Sequence, residues 1–167
     1  MIHRLEPPVT DEDLDALADL LLDGVAGNAS LGFDAAATFE QIRAWWSSLD
    51  PAATVLLAAR EDGRIVGSAL LAFSRFPNGR HRAEVAKVIV LSTYRRRGIG
   101  RQLMAAVEEE ARRAGKTLLF LDTESGSAAE TMYRALGWTA AGTIPDFAYR
   151  PDGELRPTTF YYRRLSF

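Results

Sequence analysis

The chain has 167 residues, a length typical of one domain with a full hydrophobic core. A formal net charge of −2, with 47% hydrophobic and 25% charged residues, indicates an ordinary globular protein and argues against broad binding to nucleic acids or anionic membranes. The sequence contains no cysteine, which excludes disulfides and thiolate nucleophiles, and its two histidines are too few for a usual zinc site, so we expect no metal.

The first half of the chain predicts a short strand, two helices and three further strands. Thr10 is a plausible N-cap for the first helix, because acidic residues and then apolar residues at helical spacing follow it. A DG turn joins two apolar strands into a hairpin. The predicted elements are strand 2–6, helix 10–26, helix 38–49, and strands 54–61, 64–76 and 82–91.

The second half predicts a helix, a strand, a helix and two late strands, at 99–114, 117–123, 127–137, 138–144 and 158–165, with residues 145–157 as the last connection. The resulting order is β-α-α-β-β-β-α-β-α-β-β. This order predicts one α+β domain over residues 1–167, with a single mostly antiparallel mixed sheet, a central βαβ crossover between 84 and 122, and helices on both faces.

The stretch YRRRGIGRQL (94–103) joins the strand before it to the helix that crosses over. Unpaired N–H groups and a partial positive charge attract anions to a helix N-terminus, and glycines let an anion approach closely. Two glycines and three consecutive arginines here predict a phosphate cradle; a tight turn with solvated arginines is the alternative. The spacing fits neither a Walker loop, which needs Lys-Ser/Thr after the glycines, nor a dinucleotide fingerprint, which needs a third glycine.

The motif RRRGIG (95–100), which follows VIV (88–90), resembles the Q/R-x-x-G-x-G/A pattern of the GNAT (GCN5-related N-acetyltransferase) superfamily, and the element order resembles its fold. The resemblance implies acetyl-coenzyme A as co-substrate, with its pyrophosphate on the turn and its pantetheine arm along the preceding strand. Ser92 departs from the proline that the superfamily often has there. The residues expected to bind the coenzyme are Val88, Ile89, Val90, Arg95, Arg96, Arg97, Gly98, Ile99, Gly100 and Arg101.

Longer segments are similar to the tabtoxin-resistance branch of the superfamily, which acetylates a small toxin bearing an amine. They are GNASLGF (27–33), PNGRHRAEV (77–85), RGIGRQLM (97–104), LDTESGSAAE (121–130) and PDGELRPTTFYY (151–162). This similarity runs over nearly the whole chain. It implies a detoxifying enzyme without naming the acceptor.

Three residues are expected to carry the chemistry. Tyr133, in MYRALGW (132–138), matches a tyrosine that the superfamily commonly uses to protonate the leaving thiolate; a core tyrosine with a satisfied hydroxyl is the alternative. Glu84 and Asp122 are candidates for the base or for binding the acceptor amine. A buried Asp122 at the end of an apolar strand would need a partner, and its alternative is a capping or turn carboxylate. The alternative for Glu84 is an ion pair with Lys87 or Arg82.

The acceptor pocket is expected to involve Phe33, Trp46, Glu84, Asp122, Phe147 and Tyr149. We therefore expect acetyl transfer to the amine of a small basic molecule, a toxin or an antibiotic. An aminoglycoside-like sugar or a protein or peptide amine is the alternative acceptor, and a non-catalytic acyl-CoA sensor is the alternative of another class. The start of the chain has no long apolar run, so we expect neither a signal peptide nor a membrane span, and hence a cytoplasmic protein. We expect a monomer or a homodimer.

Overall fold

The computed structural model describes residues 1–166, and its elements follow the predicted order. The strands are β1 (Ile2–Arg4), β2 (Thr54–Glu61), β3 (Arg64–Phe73), β4 (Arg82–Val90), β5 (Leu118–Glu124), β6 (Thr139–Tyr149) and β7 (Leu155–Arg164). The α-helices are α1 (Asp11–Ala26), α2 (Phe39–Ser47), α3 (Ile99–Arg113) and α4 (Ala128–Ala135). Over the described range, no helix has the length and apolar character needed to span a membrane.

All seven of these strands form one sheet in the order β1-β2-β3-β4-β5-β7-β6. Its pairs are antiparallel except for β4 and β5, which run parallel and are joined by α3. The predicted fold class, a mostly antiparallel mixed sheet with a central βαβ crossover, is confirmed.

Helices cover both faces of the sheet, so two apolar cores form. Four apolar residues at i, i+4 spacing on one face of α3 are buried, and they pack with α4 against one side of the sheet: Ile99, Leu103, Val107 and Ala111. The opposite core joins α1 and α2 to the other side of the sheet, through residues such as Leu17, Leu21, Ile42 and Ile89.

The last hairpin is longer than the sequence predicts, because β6 extends to Tyr149 and β7 begins at Leu155. The sequence predicts a connection over residues 145–157, but residues 145–149 and 155–157 belong to the two strands. The pairing of β6 with β7 shifts register between Ile144 and Ala148, and this irregularity accommodates Pro145. An edge strand tolerates a proline at such a position, since the missing N–H faces no partner strand.

Strands β4 and β5 diverge shortly after they begin. Their register covers only Arg82–Glu84 against Leu118–Phe120, although β4 continues to Val90. Within the described residues, the edge of β4 that faces β5 therefore has no strand partner over 85–90. A gap opens in the middle of the sheet at this point.

A bulge in β4 lies beside this gap. Lys87 has a φ of 50°, and its carbonyl accepts a hydrogen bond from the Ser68 hydroxyl at 2.9 Å. In a regular strand Val85 and Ile89 would lie on the same face. The bulge between them reverses the alternation, so Val85 packs into the core on the α3 side of the sheet (the α3 core) and Ile89 into the core on the α1 side (the α1 core).

Candidate active site

The N-terminus of α3 presents free backbone donors. Its N-cap, Gly98, has a φ of 81°, in the left-handed region that favours glycine. The first turn contains no acidic residue, and Gln102 is the first residue whose N–H reaches back, to the Gly98 carbonyl at 3.1 Å. The preceding N–H groups have no helical acceptor, so this end of α3 can bind an anion.

The arginines around this helix end play different parts. Arg95 donates to the carbonyl of Val90 at 3.0 Å, and Arg97 donates to the carbonyl of Thr93 at 3.2 Å, so both brace the turn. Within the segment 95–101, the side chains of two exposed arginines make neither a hydrogen bond nor an ion pair, and both can turn toward an anion: Arg96 and Arg101.

The two glycines of the turn also differ. A Cβ on Gly98 would meet no atom within 4 Å, whereas a Cβ on Gly100 would lie 2.9 Å from the sulfur of Met132 on α4. Gly98 therefore supplies a left-handed conformation beside open space. Gly100 lets α3 approach α4, so a substitution there disturbs packing before it disturbs any bound group.

Ser92 anchors the turn to α1. Its N–H and its hydroxyl both donate to the carboxylate of Asp23, each at 2.7 Å. A proline has no N–H and no hydroxyl, so it would lose both bonds. The departure from the superfamily pattern at this position thus has a local structural reason.

Glu84 and Asp122 lie on the same face of the sheet, on either side of the gap. Leu121 points into the α3 core, and the residues flanking Glu84 do the same, so both carboxylates point to the opposite face. Burial raises the pKa of Glu84, and the nearby charge of Asp122 raises this pKa further. The gap thus brings two like charges close together.

Asp122 is more exposed than the sequence predicts. Its side chain is open to solvent, so the expectation of a buried carboxylate at this strand end is wrong. Crowding by protein atoms raises the pKa of Asp122 and the charge of Lys87 opposes this rise, but water at the side chain weakens both effects. The apolar run LLFL predicted burial because the sequence does not reveal that the sheet opens here.

Neither carboxylate is occupied by a structural role. Within residues 1–166, Glu84 and Asp122 make no side-chain hydrogen bond and no ion pair within 4.0 Å, so the pairs of Glu84 with Arg82 or Lys87 are not formed. The cap of α4 is Ser127, not Asp122. Both carboxylates are thus available to a substrate.

Tyr133 lies on α4 and is 5% exposed. Burial raises the pKa of Tyr133 well above its usual range, and the charge of Asp122 adds to this effect, so the phenol keeps its proton. Its hydroxyl makes no hydrogen bond within residues 1–166, unlike that of the neighbouring buried Tyr161, which donates to Glu130 at 2.8 Å. The geometry therefore differs from that of a core tyrosine with a satisfied hydroxyl.

Lys87 shares the sheet face of the two carboxylates, although the sequence suggested it only as an ion-pair partner for Glu84. Its ammonium lies 4.9 Å from the ring centroid of Trp45, on the face of the sheet that carries both carboxylates. Regular alternation would have put Lys87 and Glu84 on opposite faces, and the bulge removes that difference. One signal was available, a lone charge inside the apolar run VAKVIV.

The predicted role of Trp46 in the acceptor pocket is wrong. Trp46 is 2% exposed and its indole N–H donates to the carbonyl of Leu17 at 3.1 Å, so it belongs to the α1 core. Trp45 faces the cleft instead and packs edge-on against Phe33 at 5.9 Å between ring centroids. Helical spacing alone could not decide which of two adjacent tryptophans points inward.

Aromatic residues of the last hairpin approach Asp122 from the other side. Phe160 is the register partner of Asp122 on β7, and Phe147 packs edge-on against it at 5.5 Å between ring centroids. Tyr149 is 65% exposed, and its carbonyl accepts a hydrogen bond from the Ser30 hydroxyl at 3.4 Å. The sequence did not point to Phe160 as a neighbour of Asp122, because the pairing of β5 with β7 joins residues that are far apart in the chain.

The hairpin tip is fastened to the segment between α1 and α2. The side chain of Asn28 donates to the Asp152 carboxylate at 2.7 Å and accepts from the Asp152 N–H at 3.1 Å. These contacts connect elements at opposite ends of the chain and wall one side of the cleft.

Comparison with known proteins agrees with this geometry. Residues 25–138 match the sequence profile of the Acetyltransferase (GNAT) family. The chain is 25% identical over 134 residues to the L-methionine sulfoximine/L-methionine sulfone acetyltransferase of Salmonella typhimurium, covering 80% of this chain and 78% of that relative.

Two solved structures share the fold over nearly the full length. The ribosomal-protein-alanine N-acetyltransferase of Brucella melitensis superposes with a TM-score of 0.83 at 28% identity, over 99% of each chain. The Salmonella typhimurium protein yncA, solved with its cofactor acetyl-CoA, superposes with a TM-score of 0.82 at 24% identity, over 100% of this chain and 94% of that one. The family match, the sheet with its central gap and the helix end beside it together make this chain a member of the GNAT family, an N-acetyltransferase that uses acetyl-CoA.

Proposed function

We propose that the chain acetylates the amine of a small basic molecule, a toxin or an antibiotic, and thereby detoxifies it. The observation that carries this proposal is the presence of two unpaired carboxylates, Glu84 and Asp122, which flank the sheet gap on the face opposite α3. A positively charged amine is repelled by the arginine turn and attracted by the carboxylates. We further propose that residues 1–167 act as one domain, in a cytoplasmic monomer or homodimer.

In the proposed reaction the chain positions the amine and moves two protons. Glu84 and Asp122 hold the amine as a cation, and one of them or a water chain accepts its proton, so that the neutral nitrogen can attack the thioester carbon. As the new C–N bond forms and the C–S bond breaks, Tyr133 donates its proton to the leaving thiolate. The nitrogen then gives up its second proton, which returns to the Tyr133 phenolate through water. The products are an acetylated amine and free coenzyme A.

The proposed coenzyme site combines the end of α3 with the free edge of β4. The N–H groups of Ile99, Gly100 and Arg101, with the side chains of Arg96 and Arg101, bind the pyrophosphate. Arg95 and Arg97 shape the turn. Backbone groups of Val88, Ile89 and Val90 bind the pantetheine arm along the edge that β5 leaves unpaired. Phe33, Phe147 and Tyr149 cover the acceptor, with Trp45 in the place expected for Trp46.

A protein N-terminus is the second candidate acceptor, favoured by the name of the Brucella melitensis relative. A peptide needs an open groove that can admit a chain. The contact between Asn28 and Asp152 ties the hairpin tip to the α1–α2 segment, which argues against an open groove between them and supports the small acceptor.

The test of this function is a thiol-release assay with acetyl-CoA and a panel of acceptors. The panel contains amine antibiotics, aminoglycosides, amino acids, polyamines and an alanine-terminated peptide. Rapid release with a small amine supports the proposal. Release with the peptide alone favours the second candidate, and acetyl-CoA binding without release for any acceptor indicates a sensor.

Gly98→Ala is expected to weaken acetyl-CoA binding at least about tenfold, because the added methyl occupies the open space beside the free N–H groups and strains the left-handed backbone. The measurement is calorimetric titration of acetyl-CoA. Gly63→Ala is a matched control: Gly63 has a φ of 80° and a Cβ there would also meet nothing within 4 Å, but it lies in the β2–β3 turn. Both variants lose about 1 kcal/mol of stability, and equal affinities in the two would refute the assignment of the turn.

A further inference from the structure

Lys87 is a partly buried cation whose charge is not paired. Within residues 1–166 its ammonium makes no hydrogen bond and has no carboxylate within 4.0 Å. Lys116, the other lysine of the chain, donates to the Arg80 carbonyl at 2.8 Å. An ammonium has three donors, and leaving them without acceptors in a partly desolvated place is unfavourable, so this position calls for an anionic or polar partner.

The structure holds the Lys87 ammonium in place and leaves room in front of it. The bulge of β4 directs the side chain to the sheet face that carries Glu84 and Asp122. There the ammonium makes a cation–π contact with the ring of Trp45, whose centroid lies 4.9 Å away. On another side lies Gly32, whose Cβ, if present, would be 3.4 Å from the ammonium nitrogen. A residue larger than glycine would fill this space.

Two arginines that contact the end of β5 already have partners. Arg150 forms ion pairs with Glu124 and Glu154, and Arg156 forms ion pairs with the same two carboxylates. Their charge is therefore neutralised within the protein. Lys87 differs from them because the nearest acids, Glu84 and Asp122, influence it through space without touching it.

We propose that Lys87 is a specificity-determining residue that binds an anionic group of the acceptor, so that the preferred acceptor is a zwitterion of the α-amino acid type. This inference rests on the proposed transfer to an amine, and it narrows the basic acceptor proposed above to an amine that also carries an anionic group. The acceptor ammonium faces Glu84 and Asp122, and its carboxylate faces Lys87. A purely cationic acceptor satisfies the carboxylates but leaves Lys87 unpaired and is repelled by it.

The experiment compares each acceptor with its own α-amide. The probes are the standard L-amino acids and L-methionine sulfone, each beside the amide, with kcat and KM measured by thiol release. The variants are Lys87→Met, which keeps most of the side-chain length without its charge, and Lys87→Arg, which keeps the charge. Acetyl-CoA affinity is titrated in parallel.

The wild-type protein is expected to prefer the amino acid over its amide about 10- to 100-fold, the usual worth of a charge-assisted hydrogen bond. Lys87→Met collapses this preference, mainly through KM of the amino acid, and Lys87→Arg retains most of it. If Lys87→Met lowered kcat/KM equally for the amino acid and for its amide, the inference would be overturned. Lys87 would then act only through its effect on the charges of Glu84 and Asp122.

Two further outcomes separate this inference from the proposed function. Turnover of polyamines, aminoglycosides or amides, with no free amino acid accepted, overturns the role of Lys87 and leaves the proposed function standing. Tight acetyl-CoA binding with no turnover of any amine overturns both.

Discussion

Tyr133→Phe is expected to lower kcat about 10- to 1000-fold while the affinity for acetyl-CoA barely changes. The substitution removes one hydroxyl and almost no volume. That hydroxyl has no partner within residues 1–166, and burial keeps it protonated, so it is suited to donate to a thiolate and not to act as a base. The measurement is kcat under conditions where chemistry limits the rate.

Tyr161→Phe is the matched control for this prediction. Tyr161 is a buried tyrosine whose ring lies 6.5 Å from that of Tyr133, but its hydroxyl is engaged by Glu130 and Arg134. Its loss is expected to reduce stability by about 1 to 3 kcal/mol and to leave kcat nearly unchanged. An unchanged kcat in Tyr133→Phe would reduce Tyr133 to a packing residue.

Glu84→Gln and Asp122→Asn are each expected to lower acceptor turnover at least about 100-fold and to leave acetyl-CoA binding intact. Both variants keep the shape of the side chain and remove the charge that attracts the amine and takes up its proton. Slow hydrolysis of acetyl-CoA without acceptor is expected to persist. Full acceptor turnover in both variants would contradict the proposed roles.

Thermal unfolding shows whether lost turnover in Glu84→Gln reflects a damaged fold. Because burial raises the folded-state pKa of Glu84, the folded protein binds a proton there more readily than the unfolded chain. The ionised carboxylate therefore costs stability above its folded pKa, and this cost disappears as pH falls below the ordinary glutamate pKa. Glu84→Gln is expected to melt higher than wild type at pH about 7, with the difference vanishing near pH about 4.

Local patterns in the sequence predicted the start of α3 at the arginine–glycine turn, whereas the positions of the residues proposed for the acceptor depend on contacts between distant segments. The N-cap at Gly98 is a local feature, so spacing and residue type were sufficient to locate it. The exposure of Asp122 depends on where β4 leaves β5, and the orientation of Lys87 depends on a bulge held by Ser68. The choice between Trp45 and Trp46 depends on how α2 rotates against α1.

The attachment of the hairpin tip to the α1–α2 segment bears on how the acceptor specificity of such a chain can change during evolution. The groups proposed to bind the coenzyme lie on the central sheet and on α3, while the two surface segments proposed to cover the acceptor are joined through Asn28, Ser30 and Asp152. These segments can drift or be exchanged as a pair without disturbing the sheet. We expect descendants of one ancestor to diverge fastest there, acquiring new acceptors while the acetyl donor stays the same.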